Sequence, residues 1–288
     1  MATGLRTENA VLTAPLVLFL LVLMGFPTLL DLVYAVSEVR FETLRAPRFT
    51  GLANLSAVLR DPDFWQATWF SLRFATVTAL AECLLGLALA IYLSPLLRRQ
   101  PWLLAILIMP MIVAPALMGL MYRLVLHEFI GTLPHYLLQW FGTSPGFLTA
   151  DNVFTTVAVI ETLQWTPFAL LLFHMAYEAI PGDIREAAEM DGTRPWRMLL
   201  RIELPMMMPT IAVALFIRFI DGFRVFDNIW VLVGTGPGGA TTSLSIYIYV
   251  AFFRSGEIGE AVAASVLLFA AAFAVLWLGA RRLRPEDR

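Results

Sequence analysis

The chain has 288 residues, of which 59% are hydrophobic and only 15% charged, with a formal net charge of −2. A soluble domain carries about 45–50% apolar and about 25% charged residues, so this chain cannot coat a water-exposed surface, and lipid must be its solvent over most of its length. The same balance excludes a disordered chain, a disulfide scaffold and a broad basic field for nucleic acid. Every basic residue is Arg; no Lys occurs. A Walker A loop needs a Lys to reach nucleotide phosphates, so this chain carries no ordinary one, and lysine Schiff-base chemistry is excluded. The single cysteine, Cys83, sits in an apolar stretch and reads as a small core residue.

Six apolar segments follow one another, each close to the ~20 residues that a bilayer-spanning helix needs. They run at about 10–36, 68–93, 102–124, 153–176, 206–231 and 261–283. The first is too long for a signal-peptide core. Pro110 and Pro115 fall inside the third and Pro167 inside the fourth. Such prolines are tolerated where neighbouring helices or water satisfy the freed carbonyls, which predicts kinked helices around a cavity. Arg6, Arg98, Arg99, the arginines of the 178–204 loop and those after Gly279 would share one side of the membrane. Arg40, Arg45, Arg48, Arg60, Arg123 and Arg254 would lie on the other, so the positive-inside rule puts both termini in the cytoplasm. No internal repeat argues for an inverted-repeat transporter.

Between the fourth and fifth segments, Ile180 to Pro209 is polar but patterned. Ile184 to Met190 are good helix formers, and Gly192 stands where a helix stops. Thr193 is placed to cap a second helix with Pro195 in its first turn, presenting Trp196, Leu199, Leu200 and Ile202. This is a helix–turn–helix outside the membrane. It either rests on lipid headgroups or docks a soluble partner.

Several acidic and basic residues fall inside the segments: Asp31, Arg73, Glu82, Glu161, Arg218, Asp221, Arg224 and Asp227. Intramembrane charges are costly and need partners. Arg218, Asp221, Arg224 and Asp227 recur every three residues, as helical neighbours do. Such a ladder either fixes helices by mutual neutralisation or forms a hydrophilic translocation surface. Gln164, Trp165, Asn228 and Trp230 add hydrogen-bonding and aromatic groups to the fourth and fifth segments. His127, His135 and His174 lack metal-ligand spacing, Met206 to Met208 read as packing residues, and no nucleophile-elbow context occurs.

Glu186-Ala187-Ala188, Asp191-Gly192, Ile202, Leu204, Pro205 and Pro209 resemble the EAA loop of binding-protein-dependent ABC importer permeases. Phe64-Trp65, Trp165-Thr166-Pro167-Phe168, Phe226-Asp227, the run Gly236 to Thr241, Tyr247 to Tyr249 and Phe252-Phe253-Arg254 resemble its carbohydrate (MalF-type) class. Two places depart from that pattern: Phe70-Ser71 stands for an Asn-Thr pair, and Gly-Thr-Gly-Pro replaces the usual glycine order. The resemblance implies an all-α membrane protein: one permease domain over 1–288, six transmembrane helices and a type I ABC importer fold. It implies that the loop at 180–205 is the coupling element, with Glu186, Ala187, Ala188, Asp191, Gly192, Ile202, Leu204 and Pro205 at an ATPase groove. The implied partners are a second homologous permease, two ABC ATPases that bind the ATP and Mg, and a periplasmic or lipid-anchored substrate-binding protein. The chain itself would be no enzyme and hold no cofactor or metal, and it would sit in a bacterial inner membrane. Gln164, Trp165, Arg218, Asp221, Asn228 and Trp230 are the candidates for the substrate path of a sugar, polyol or oligosaccharide. The alternative is an ion-coupled secondary transporter that would use Glu161 or Asp221.

Overall fold

The structure, a computed structural model, describes residues 13–283. Arg6, Arg284 and Arg288, used above for orientation, lie outside the described residues. The described chain is helical apart from turns and one two-residue hairpin, Ser37–Glu38 paired antiparallel with Arg48–Phe49. Among the described residues, four helices are long and apolar enough to cross a membrane: α1 (Thr13–Ala35), α3 (Pro62–Arg99), α8 (Val153–Glu178) and α10 (Pro195–Phe223). Between them lie α2 (Ala53–Arg60), α4 (Trp102–Leu107), α5 (Met109–Ile112), α6 (Pro115–Val125), α7 (Thr132–Phe141) and α9 (Gly182–Met190). After α10 come α11 (Asp227–Val233), α12 (Leu244–Ser255) and α13 (Ile258–Leu283).

Two expected spans are not single helices. The segment at 102–124 is divided into α4, α5 and α6. Its prolines are the cause. Pro110 removes a backbone donor, and Pro115 forces Ala114 out of helical geometry to φ −59°, ψ 135°. The segment at 206–231 ends as a helix at Phe223 and restarts at Asp227, with Phe226 at φ −141°, ψ −61°. Both breaks expose carbonyls that lipid cannot satisfy, and side chains take them instead. Gln164 Nε2 donates to Val113 O at 2.9 Å. Ser243 Oγ donates to Val225 O at 2.7 Å, and Ser245 Oγ to Arg224 O at 3.0 Å.

The chain groups into two compact units, divided after Trp65 and after Ile246. In the unit formed by the chain's two ends, α13 packs against α1 and α2. The first turns of α13 are small and closely approached: Ile258, Ala261, Ala263 and Ala264 are fully buried. Asn54 Nδ2 donates to Ala35 O and Ser37 O at 3.1 and 2.7 Å, holding α2 to the end of α1. Tyr247 OH donates to Asp61 Oδ2 at 2.6 Å. The side chains from Leu16 to Phe26 on α1 are mostly more than half exposed, as lipid-facing residues must be.

In the unit spanning 66–246, the core joins α3, α8 and α10 through Cys83, Ala90, Ala169, Leu170, Phe173, Met207 and Ala214. Alanines on facing helices let backbones approach closely, which replaces the hydrophobic drive that lipid does not supply. Cys83 is a buried packing residue, as the sequence predicts. Ala169 is fully buried at this contact. Ala169→Leu should overpack it, at a cost of about 1–3 kcal/mol. Thermal unfolding in detergent should show the lowered midpoint; an unchanged midpoint would mean that the contact yields.

Candidate functional site: a buried arginine beside a polar cavity

Within the 66–246 unit, α10 carries Arg218 into the interior, where it is 1% exposed. A guanidinium cannot deprotonate in a protein, so burial there demands countercharge on every side. Three carboxylates supply it. Arg218 Nε donates to Glu82 Oε2 at 2.5 Å and Nη2 to Glu82 Oε1 at 3.3 Å, a two-point pairing with α3. Nη2 also reaches Glu161 Oε1 on α8 at 3.3 Å, and Nη1 reaches Asp221 Oδ2 one turn along α10 at 3.3 Å. The Trp165 ring lies 4.5 Å from the guanidinium carbon, as a cation–π partner. Glu161 also accepts from Asn228 Nδ2 on α11.

The three-residue ladder is thus real only in part. Asp221 bridges Arg218 and Arg224, with Arg224 Nη2 at 3.0 Å. The helix then stops at Phe223, so Asp227 begins a different helix and the spacing rule no longer applies. The stronger partners, Glu82 and Glu161, are 136 and 57 residues away in sequence. Both fall inside apolar segments, but nothing in the sequence pairs them with Arg218.

A cavity of about 400 Å³ opens beside this network. Glu161, Trp165, Arg218, Asp221 and Asn228 line it, together with Arg224 and Asp227. Asn228 is placed by a close approach: a Cβ on Gly119 of α6 would lie 2.5 Å from Asn228 O. Two other sequence candidates stand apart. Gln164 is fully buried and holds the α5–α6 break. Trp230 does not line the cavity but stacks on Phe226, which does, with ring centres 5.8 Å apart.

The second candidate site is the hairpin of α9 and the start of α10. Gly192 has φ +67°, where a β-carbon is disfavoured. Gly192 N–H donates to Glu189 O, and Thr193 N–H to Ala188 O, both at 2.9 Å; this is a Schellman closure of α9. Thr193 is therefore not the cap of the next helix. Its backbone is committed to the closure, and Arg194, extended before Pro195, takes the cap position without a side-chain bond. Glu186, Ala187 and Asp191 are exposed, Ala188 is buried, and Ile202 and Leu204 are half-buried; Pro205 is exposed. Met190, Trp196 and Leu200 also face outward, at 89%, 55% and 55% exposure.

An unforeseen tether holds this hairpin. Arg185 Nε pairs with Glu203 at 2.7 Å, Nη2 donates to Tyr177 O at 3.0 Å, and the guanidinium covers the Tyr177 ring at 4.2 Å. Glu203 is 2% exposed and ends a π-helical turn, Leu199–Glu203, where the hairpin enters α10. In the sequence, Arg185 is only one of the 178–204 arginines placed on the cytoplasmic side. The EAA pattern places Arg185 beside Glu186, but nothing in it marks Glu203 as a partner.

Residues 2–285 match the family described as binding-protein-dependent transport system inner membrane component. The trehalose/maltose transport system permease protein MalF of Thermococcus litoralis is 35% identical over 242 residues, covering 83% of this chain and 81% of that protein. The trehalose transport system permease protein SugA of Mycobacterium tuberculosis is 31% identical over 259 residues, covering 90% and 82%. Among solved structures, a chain of a bacterial ABC transporter involved in the import of the acidic polysaccharide alginate superposes with a TM-score of 0.82. It is 20% identical and covers 99% of this chain and 100% of its own, a likeness of fold.

Arg218→Met should leave Glu82 and Glu161 buried and uncompensated, costing about 3–5 kcal/mol. Glu161→Gln keeps the Arg218–Glu82 pair and should cost clearly less. Detergent-solubilised thermal unfolding of the two variants measures the order; equal midpoints would show that the network does not hold α3, α8 and α10 together.

Proposed function

The chain belongs to the family of binding-protein-dependent transport system inner membrane components, and from that premise we propose that it guides a sugar or small oligosaccharide across the membrane. The observation that carries the substrate class is the cavity beside Arg218. It offers an indole face at Trp165 and an amide at Asn228, among carboxylates already engaged by arginine. An aromatic ring suits the C–H face of a sugar, and amides and carboxylates suit its hydroxyls. The relatives named above for trehalose and maltose transport agree with this reading. The ion-coupled secondary transporter has no support from them.

In this reading the chain forms half of the path, a second permease supplies the other half, and a substrate-binding protein delivers the sugar. Two ABC ATPases bind ATP and Mg and dock the hairpin. The hairpin suits a docking role because the Schellman closure and the Arg185–Glu203 tether fix its exit angle, while Met190, Trp196 and Glu186 stay outward. A docked element that is tethered to α10 at Glu203 passes a push from the ATPase into the membrane helices. Both termini and the hairpin are cytoplasmic. Thr143→Cys in a Cys83→Ser background should react with an impermeant thiol reagent from the periplasmic side, and Glu189→Cys only from the cytoplasmic side.

Trp165→Ala and Asn228→Ala should each slow uptake by several-fold with the complex still assembled. One lost hydrogen bond to an uncharged sugar is worth about 0.5–1.5 kcal/mol. Uptake into proteoliposomes across sugar concentrations tests this; wild-type rates in both variants would mean that the cavity only shapes the fold. Gly192→Val puts a β-branched residue at positive φ and strains the closure by about 1–3 kcal/mol. Together with Glu186→Arg, it should leave the chain inserted in the membrane but separate ATP hydrolysis from uptake. The readout is ATPase activity with and without loaded binding protein, measured beside uptake. Normal stimulation and normal uptake in both variants would remove the coupling role from this hairpin.

A further inference from the structure

The segment between α6 and α8 has a feature that transport does not use. From Phe129 to Ala150 there is no Asp, Glu, Lys or Arg, although the segment lies outside the helices that are long enough to span. Its one helix, α7, is sharply two-sided. At 100° per residue, Thr132, His135 and Gln139 fall on one narrow face. Leu133, Leu137, Trp140, Phe141, Pro134 and Leu138 share the broad opposite side, and Tyr136 stands at the edge. Only Pro134 in this helix is buried. Trp140 and Phe141 are 70% and 71% exposed, and the preceding Phe129 and Ile130 are 87% and 74% exposed.

We propose that α7 lies in the interfacial layer of the bilayer, with Leu133, Trp140 and Phe141 among the acyl chains and Thr132, His135 and Gln139 toward the headgroups. Three observations select lipid as the occupant. The preceding helix, α6, is itself short and apolar and also exposes Leu117, Leu120, Met121 and Leu124. A face that met a soluble protein would stand in water whenever that protein left, and an uncharged surface with two exposed aromatic rings is poorly suited to that. Tyr and Trp with one wet and one apolar end also collect at membrane interfaces, and Tyr136 and Trp140 pack ring to ring at 5.4 Å along one edge of this helix. The exposed Glu128 and Asp151 bracket the segment, and mark where the chain returns to water.

The helix therefore acts as a strut that fixes the height of the α6–α8 connection in the membrane. The test uses the whole transporter complex in lipid nanodiscs, in a Cys83→Ser background. Single cysteines from Leu133→Cys, Phe141→Cys and Gln139→Cys carry an NBD fluorophore. Phosphatidylcholine with a nitroxide high on its acyl chain quenches from the lipid, and iodide quenches from the water. The probes at 133 and 141 should lose most of their emission to the nitroxide lipid and little to iodide, with the reverse at 139. Iodide quenching at 133 and 141 would overturn the proposal. So would shielding from both quenchers, which would place a protein surface there, either the second permease or the binding protein. Trp140→Phe supplies an independent readout that keeps the aromatic ring. In brominated lipid, the quenchable share of intrinsic tryptophan emission should fall relative to the unsubstituted complex; an unchanged share would place Trp140 away from lipid.

Discussion

One charge that cannot be removed organises the membrane interior of this protein. Arg218 stays ionised in a protein, and at 1% exposure it depends on protein groups for its countercharge. Placing it there is tolerable only because Glu82, Glu161 and Asp221 surround it, with an indole face on the remaining side. Those partners belong to three helices, α3, α8 and α10. Each helix must hold its angle and depth to keep its carboxylate in reach, so the ion cluster fixes their register where apolar packing alone would let them slide. Such a cluster adds less net stability than an apolar core of equal volume. What it gives is specificity of arrangement and a polar wall for the adjoining cavity.

The cavity exists because two helices are interrupted. Pro110 and Pro115 divide the third apolar segment, and the stop at Phe223 divides the fifth. In lipid each interruption would leave carbonyls without donors. Gln164, Ser243 and Ser245 supply those donors from neighbouring helices and from the start of α12. The second interruption turns the chain so that Asn228 meets Glu161 next to Arg218. Asp227 and Arg224, which one straight helix would carry past the site, line the cavity instead. Gln164 is thus polar for a structural reason. Its amide serves the backbone of the break, and its position one residue before Trp165 does not bring it to the cavity.

Much of this is legible in the chain, because lipid enforces strict patterns. Long apolar runs, Pro110 and Pro115 as places of breakage, and the spacing from Glu186 to Gly192 translate into helices, a divided segment and a closed hairpin, whereas Pro167 stays inside the unbroken α8. The rest escapes for physical reasons. A sequence shows that Arg218 needs partners, but local spacing offers only Asp221, while the two-point pairing comes from Glu82 on a helix far away in the chain. Thr193 looks like a cap from its neighbours alone. The Schellman closure of α9 takes its backbone N–H first, and the proline two residues on fixes Arg194 as extended, so the cap role passes to a residue with no capping side chain. Likewise, Arg185 reads only as one of the cytoplasmic loop arginines until the π-helical turn brings Glu203 round to meet it.

That turn also connects the two sites. Glu203, held by Arg185 of the hairpin, and Arg218, held by Glu82 and Glu161, sit on the same helix, fifteen residues apart. At 1.5 Å per residue they are separated by about 22 Å along its axis. The helix between them contains Pro205 and Pro209, both near the Glu203 end, and each removes one backbone donor there. From Thr210 to Arg218 no proline or glycine interrupts it. A displacement of the hairpin therefore meets compliance at 199–209 and stiffness beyond. Past that compliant stretch it must reach Arg218 as a movement of the whole helix end. There it cannot be absorbed gradually, because an ion pair at 2.5 Å in a low-dielectric interior either follows the helix or breaks. A charge cluster with that property makes the helix positions discrete rather than continuously adjustable.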